Sequence, residues 1–102
     1  MAVWVVQEVS GKNVLPAQKY GKLKTLIGAN SQIVLDSEPT TEIMRRKLSA
    51  YGDDDFLIAI GDPAAIGIAC AVAASRNAGR FKLLKWDRQE RQYYPVEVDI
   101  GA

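Results

Sequence analysis

The chain has 102 residues and a net charge of +1, which fits one small domain and argues against a disordered tail, a histone-like coat or an acidic mimic of DNA. It contains one cysteine and no histidine, which excludes an intramolecular disulfide, Cys/His zinc sites and imidazole-based catalysis. No basic leader and no apolar run of about eighteen residues is present, so we expect neither a signal peptide nor a membrane span.

Taken in chain order, the first elements are strands. Residues 3–9 are rich in β-branched side chains and predict the first strand. Residues 12–20 have no clear period and indicate an extended connection across the surface. Strands over 22–27 and 32–35, joined by the polar turn Gly28–Ser31, are predicted to form a hairpin.

A helix is predicted over residues 39–51, where capping side chains surround Pro39 and Gly52 provides a stop. The basic run Arg45–Lys47 suits the second half of a helix and its solvated face better than a nucleic-acid patch. The run Asp53–Asp55 is interpreted as a solvated turn, because adjacent residues on an extended chain do not converge on one ion. We therefore expect no metal and no cofactor.

The apolar run Phe56–Ile60 is too short for a helix and predicts a strand covered on both faces. Asp62 can cap the helix that Pro63 begins, so a helix is predicted over 63–77. A ligand site at Gly61 and Asp62 is the alternative, because free N–H groups at a helix N-terminus attract anions. The Asp62 carboxylate would repel phosphate and Pro63 lacks an N–H, which favours a simple helix cap.

The helix segment Ala64–Ala74 carries no polar side chain, although a helix on a sheet needs only one apolar stripe. Its remaining surface therefore needs a cover, and the small residues along it allow close approach of a second copy: Ala65, Gly67, Ala69, Ala71 and Ala73. We predict a homo-oligomer, most simply a dimer. The alternative is that the connection 10–21 covers the helix within one chain. Cys70 is interpreted as an inert buried thiol.

The last segment predicts a hairpin with strands over 81–86 and 92–100. Strand alternation places Tyr94 inward and Tyr93 outward, and Pro95, which lacks an N–H, indicates a free edge. Basic and aromatic residues alternate here in a mixture typical of binding surfaces. The candidate partner-binding residues are Trp86, Arg88, Arg91 and Tyr93. Lys82 and Lys85 extend the same set for a nucleic-acid-binding alternative, but the interspersed Asp87 and Glu90 favour a protein interface.

These elements predict a single α/β domain over residues 1–102, with a mixed sheet of about six strands and two helices in the order β-β-β-α-β-α-β-β. The stretches Ile60–Ala69, Gly79–Ile100 and Tyr20–Leu23 resemble short open reading frames of tailed bacteriophages that have no assigned function. The resemblance covers roughly the last half of the chain. It implies a virus-encoded protein working in the bacterial cytoplasm, and it carries over no catalytic residue.

Three functions remain open. The first is a non-enzymatic phage accessory protein that binds another protein, which the missing catalytic constellation and the C-terminal hairpin favour. The second is a nucleic-acid-binding module built on the hairpin. The third is small-molecule binding, or an enzyme, at the Gly61–Asp62 turn.

Overall fold

The computed structural model describes residues 1–33 and 35–101, in which five strands form one mixed sheet. The strands are β1 (Ala2–Gln7), β2 (Lys22–Ile27), β3 (Phe56–Ile58), β4 (Arg80–Asp87) and β5 (Gln92–Asp99). A 3₁₀ helix (Leu15–Tyr20) connects β1 to β2, and two α-helices follow, α1 (Glu38–Lys47) and α2 (Pro63–Arg76). The α/β class and mixed sheet predicted from the sequence are confirmed, with five strands in place of six.

The strands lie in the order β2-β1-β3-β4-β5. Strands β1 to β4 run parallel, and β5 pairs antiparallel with β4. From β1 the chain continues to its neighbour β2 at one edge of the sheet. It then crosses back past β1 to β3, which lies on the other side of β1 in the strand order. Because parallel crossovers are right-handed, this reversal places the β1–β2 connection and the two α-helices on opposite faces of the sheet.

Each face of the sheet therefore has its own apolar core. On the α-helical face, Val6 and Leu57 from the sheet pack with Met44 of α1, with Leu48 at the C-cap of α1 and with Ala69 of α2. On the opposite face, side chains of the first, third, fourth and fifth strands pack with residues of the 3₁₀ helix and its flanks: Val3, Val5, Phe56, Ile58, Leu84, Tyr93, Ala17 and Tyr20. Burial on both faces explains why the first strand is almost entirely apolar.

The predicted strand over 32–35 is wrong for Gln32, Ile33 and Leu35, which lie outside any strand, and Val34 lies outside the described residues. The hairpin is wrong as well, because β2 pairs in parallel with β1, from Ala2–Lys22 to Gln7–Ile27. A parallel strand must be followed by a crossover, so the chain leaves β2 towards α1. The connection predicted as extended forms the 3₁₀ helix, which has Pro16 in its first turn.

Helix α2 begins at the predicted cap and divides its small residues between two surfaces. Ala65, Ala69 and Ala73 are buried, whereas Gly67 and Ala71 are exposed. Only part of the predicted small-residue surface is therefore open to a partner. In the described part of the chain, no helix is both long and apolar enough to cross a membrane.

Candidate functional site

The β4–β5 hairpin extends beyond the end of its neighbour in the sheet. Strand β3 ends at Ile58 and, within the described residues, pairs with β4 only at Leu57–Leu83. Strand β4 continues to Asp87, which pairs with Gln92 of β5. Residues 84–92 therefore form a projection, which we call the hairpin arm, held on one side by β5 and free of β3 on the other.

The end of the hairpin arm has a fixed turn conformation. The Asp87 carboxylate accepts hydrogen bonds from the backbone N–H groups of Gln89 and Glu90, at 2.9 and 3.3 Å. Arg91 adopts a left-handed backbone conformation with φ of 52°. Arg88 and Arg91 are both exposed, and among the described residues neither takes part in an ion pair. The turn thus presents two guanidinium groups to solvent.

Trp86 stands at the base of this turn and is held by Tyr93. The two rings meet edge to face, with centroids 5.0 Å apart and planes at 66°. Tyr93 is buried, and Trp86 is 43% exposed. The ring of Trp86 therefore remains accessible while its position is fixed by a packed neighbour.

The prediction that Tyr93 points outward is wrong. Tyr93 faces the 3₁₀ helix, where the Tyr20 hydroxyl donates a 2.9 Å hydrogen bond to the Tyr93 carbonyl, and burial raises the pKa of the Tyr93 phenol. Tyr94, which the alternation placed inward, is 40% exposed. Tyr93 thus packs between Trp86 and the 3₁₀ helix, and its own ring does not face solvent.

The structure separates Lys82 from the rest of the basic and aromatic set. Its ammonium lies 4.3 Å from the centroid of the Phe56 ring. Lys82 precedes Trp86 by four residues of strand, about 13 Å. Lys85, Trp86, Arg88 and Arg91 all lie on the hairpin arm, where strand alternation places the Lys85 and Trp86 side chains on opposite faces of β4.

A cleft of about 700 Å³ lies beside the hairpin arm. One wall is the loop Gly11–Asn13, which follows β1, and the other is β4 from Leu83 to Trp86 together with Tyr93; the floor is Ile58–Ile60. Sequence reasoning missed the loop Gly11–Asn13. The position of this loop after the first parallel strand is the signal that could have found it, because ligand crevices of open α/β sheets form beyond the carboxyl ends of strands.

The Gly61–Asp62 turn is occupied by a side chain of the protein itself. The Asp62 carboxylate accepts a 2.8 Å hydrogen bond from the N–H of Ala64, and the Asp62 N–H donates a 2.7 Å hydrogen bond to the Gln7 side-chain oxygen. Gly61 has φ of 109°, and a Cβ there would overlap the Gln7 side chain. The predicted cap is present, and Gln7 fills the space next to it.

The three aspartates before β3 do not share one environment, because Asp53 and Asp54 are exposed whereas Asp55 is half-buried. Asp53 contacts Asn77 and Arg80, whose hydrogen bonds lower the pKa of its carboxyl group. The Asp55 carboxylate accepts hydrogen bonds from the N–H groups of Ala2 and Gly52. No group of three potential metal ligands converges within residues 1–33 and 35–101. Cys70 is half-buried in α2, and burial raises the pKa of its thiol.

Together, the fold and the site define a small α/β protein with helices on both faces of a mixed sheet and a projecting C-terminal hairpin. The family model described as Phage Pam3 gp32-like protein matches residues 1–100. The chain belongs to this phage family, which confirms the resemblance to phage open reading frames. No curated protein and no solved structure matches the chain.

Proposed function

We propose that this phage protein is a non-enzymatic accessory protein that binds another protein through the hairpin arm, in the cytoplasm of the host bacterium. The observation that carries the proposal is the exposure of Trp86, Arg88 and Arg91 on one projecting hairpin whose turn is hydrogen-bonded. Tryptophan and arginine are enriched among the residues that dominate binding energy at protein interfaces. A fixed turn also reduces the entropy lost when a partner binds.

Acidic residues in the same turn favour a protein partner over the phosphate backbone of a nucleic acid. Asp87 and Glu90 lie between the basic residues, and the Asp87 carboxylate already stabilises the turn. A nucleic-acid surface would gain from uniform positive charge because each cation contributes by releasing counterions. Mixed charge instead allows complementary pairing with a protein surface.

Co-purification from phage-producing bacteria tests this proposal. We expect the unmodified chain to retain a specific protein after nuclease treatment, and the double variant Arg88→Ala with Arg91→Gly to lose it. The matched control is Arg46→Ala, which removes an exposed arginine from α1. Equal retention by the double variant and the control would contradict a role for the hairpin arm.

A nucleic-acid-binding module is the second candidate, because the accessible Trp86 side chain and the exposed Lys85 both line the same cleft. Bases stack on such rings while cations contact the phosphates. This candidate predicts salt-dependent retention on single-stranded DNA that weakens in the Lys85→Ala variant. Absence of retention at low salt would exclude it.

We also propose that the protein forms a homodimer through the outer face of α2. Ala64, Gly67 and Ala71 are exposed at helical spacing, and their small side chains permit close approach of a second helix. Burial of even ~200 Å² of apolar surface at ~25 cal/mol per Å² contributes ~5 kcal/mol before association costs. A two-fold axis would cover both copies of this surface at once.

Light scattering at micromolar concentration tests the dimer. We expect the mass of two chains for the unmodified protein and of one chain for Ala71→Glu. Ala69 is unsuitable for this test, because it is buried within the chain and glutamate there would unfold the protein. A single-chain mass at all concentrations would contradict the dimer, and a dimer that survives Ala71→Glu would exclude α2 as its interface.

A further inference from the structure

We propose that the cleft between the loop Gly11–Asn13 and the hairpin arm binds a small anion that carries a planar ring and is of about the size of a nucleoside monophosphate. The cleft volume of about 700 Å³ lies within the range of ~300 to 1,000 Å³ that is typical of small-molecule sites. This site is separate from the Gly61–Asp62 turn, which Gln7 fills.

The location of the cleft follows from the strand order. After β1 the chain passes to the face of the 3₁₀ helix, whereas after β3 it passes to the face of the α-helices. The two connections diverge at the carboxyl ends of adjacent strands and leave a crevice between them. Open α/β sheets bind ligands at such a reversal of strand order.

The backbone of β4 supplies hydrogen-bonding groups to the cleft. The hydrogen bond from Ile100 N–H to the Gly79 carbonyl sets the alternation along the β4–β5 ladder, so the N–H and C=O of Trp86 point away from β5. Strand β3 pairs with β4 only at Leu57–Leu83 in the part of the chain that is described. The polar backbone groups of Trp86 therefore face the cleft without a partner strand.

The side chains of the cleft favour a ligand in which an aromatic ring is attached to a negatively charged group. The walls and floor are mainly apolar and include the partly exposed side chain of Trp86, on which a planar ring can stack. Lys12 and Lys85 are exposed on opposite walls, and the described residues that line the cleft include no carboxylate. The Asn13 side chain accepts a hydrogen bond from the Leu15 N–H, which positions the loop that carries Lys12.

Fluorescence titration tests the proposal with four probes: AMP, GMP, CMP and UMP. The sequence contains two tryptophans, so a Trp4→Phe background leaves Trp86 as the single tryptophan reporter. We expect saturable quenching by at least one monophosphate with a Kd below ~1 mM, and binding at least ~10-fold weaker for the corresponding neutral nucleoside. Lys12→Ala and Lys85→Ala should each weaken binding ~5-fold or more, whereas Lys22→Ala on β2 should not.

Three results would overturn the proposal. The first is no saturable quenching by any of the four probes, and the second is quenching that neither cleft lysine affects. The third is a single-stranded oligonucleotide that binds more tightly than its monophosphate and loses that advantage in the double variant Arg88→Ala with Arg91→Gly, which would favour a nucleic-acid surface. Because Lys12 lies outside the hairpin arm, failure of this site leaves the proposed protein interface unaffected.

Discussion

At the scale of single residues, Gln7 joins two loops at the carboxyl edge of the sheet, the one after β2 and the one after β3. Its side-chain nitrogen donates to the carbonyls of Gly28 and Ser31, at 3.2 and 2.9 Å, and its oxygen accepts from the Asp62 N–H. These partners are 21, 24 and 55 residues away in sequence. Strand alternation could predict the face on which Gln7 lies, but no local pattern could predict such distant partners.

Replacement of Gln7 by leucine should lower the free energy of unfolding by about 1–3 kcal/mol, because the Asp62 N–H and the two carbonyls lose their partner in a partly buried site. Urea denaturation measures the change. Gln18→Leu is the control, since Gln18 is exposed on the 3₁₀ helix. Equal shifts for the two variants would show that the Gln7 hydrogen bonds contribute nothing to stability.

Asp62→Ala should lower the free energy of unfolding by about 1 kcal/mol, because it removes the carboxylate that accepts a hydrogen bond from the Ala64 N–H. Asp62→Asn keeps an acceptor in the same place and should cost little. Thermal melting compares the two variants. If Asp62→Asn abolished binding of a ligand or partner at an unchanged melting temperature, the carboxylate would have a chemical role beyond the cap.

Tyr51 makes the free energy of unfolding decrease at alkaline pH. Its hydroxyl donates to the Asp55 carbonyl and accepts from the Lys82 N–H, and burial raises its pKa to about 12. Above the usual value of about 10 the unfolded chain releases this proton while the folded chain keeps it, so stability falls as pH rises.

The Tyr51 contribution should therefore be complete below pH ~10 and decline by about 1 kcal/mol per pH unit up to pH ~12. Urea unfolding across this pH window measures the slope. Tyr51→Phe should flatten it, while Tyr94→Phe, which removes an exposed phenol, should not. Identical slopes for the unmodified protein and Tyr51→Phe would contradict this assignment.

At the scale of elements, the C-terminal hairpin shows what the alternation of side chains along a strand can predict and what it cannot. Period two correctly separated Tyr93 from Tyr94, and Pro95 correctly marked β5 as an edge strand. The faces were reversed for the tyrosines because the 3₁₀ helix covers Tyr93, through Tyr20. The sequence of the 3₁₀ helix has no hydrophobic periodicity that would predict a helix there. The apolar core on that face of the sheet was therefore not predictable from β5 alone.

The free edge of β5 is partly protected from pairing with another strand. The ladder alternation that directs Trp86 away from β5 also directs Tyr93 and Pro95 towards the open side. The Tyr93 carbonyl accepts from Tyr20, and Pro95 has no N–H to donate. Such an edge is a poor template for strand addition, which leaves α2 as the stronger candidate for the dimer interface.

The turn of the hairpin arm predicts a difference between two replacements of Arg91. Arg91 has φ of 52°. This left-handed conformation destabilises the fold by about 1 kcal/mol for a residue with a Cβ, whereas glycine adopts it without strain. Arg91→Gly should therefore be more stable than Arg91→Ala by about 0.5–1 kcal/mol, as measured by urea denaturation. A less stable glycine variant would mean that the turn conformation differs in solution.

At the scale of the whole molecule, local signals predicted the β3-α2-β4 unit, because a cap, a proline and a short apolar run specify it within a few residues. The strand order was not predictable in the same way. The parallel pairing of β1 with β2 depends on the 3₁₀ connection, and Gly28–Ser31 has the composition of a hairpin turn although it leads to α1. The cleft was missed for this reason, since it exists only where the strand order reverses.

We propose that the hairpin arm binds a partner protein, and site-specific photo-crosslinking detects this contact without disrupting the fold. A photoreactive amino acid replaces Arg88 in one variant and Glu42, on the exposed face of α1, in another, and both are irradiated in phage-producing bacteria. We predict a discrete protein adduct from position 88 that resists nuclease and is absent from position 42. No adduct at position 88, or the same adduct at both positions, would contradict the claim.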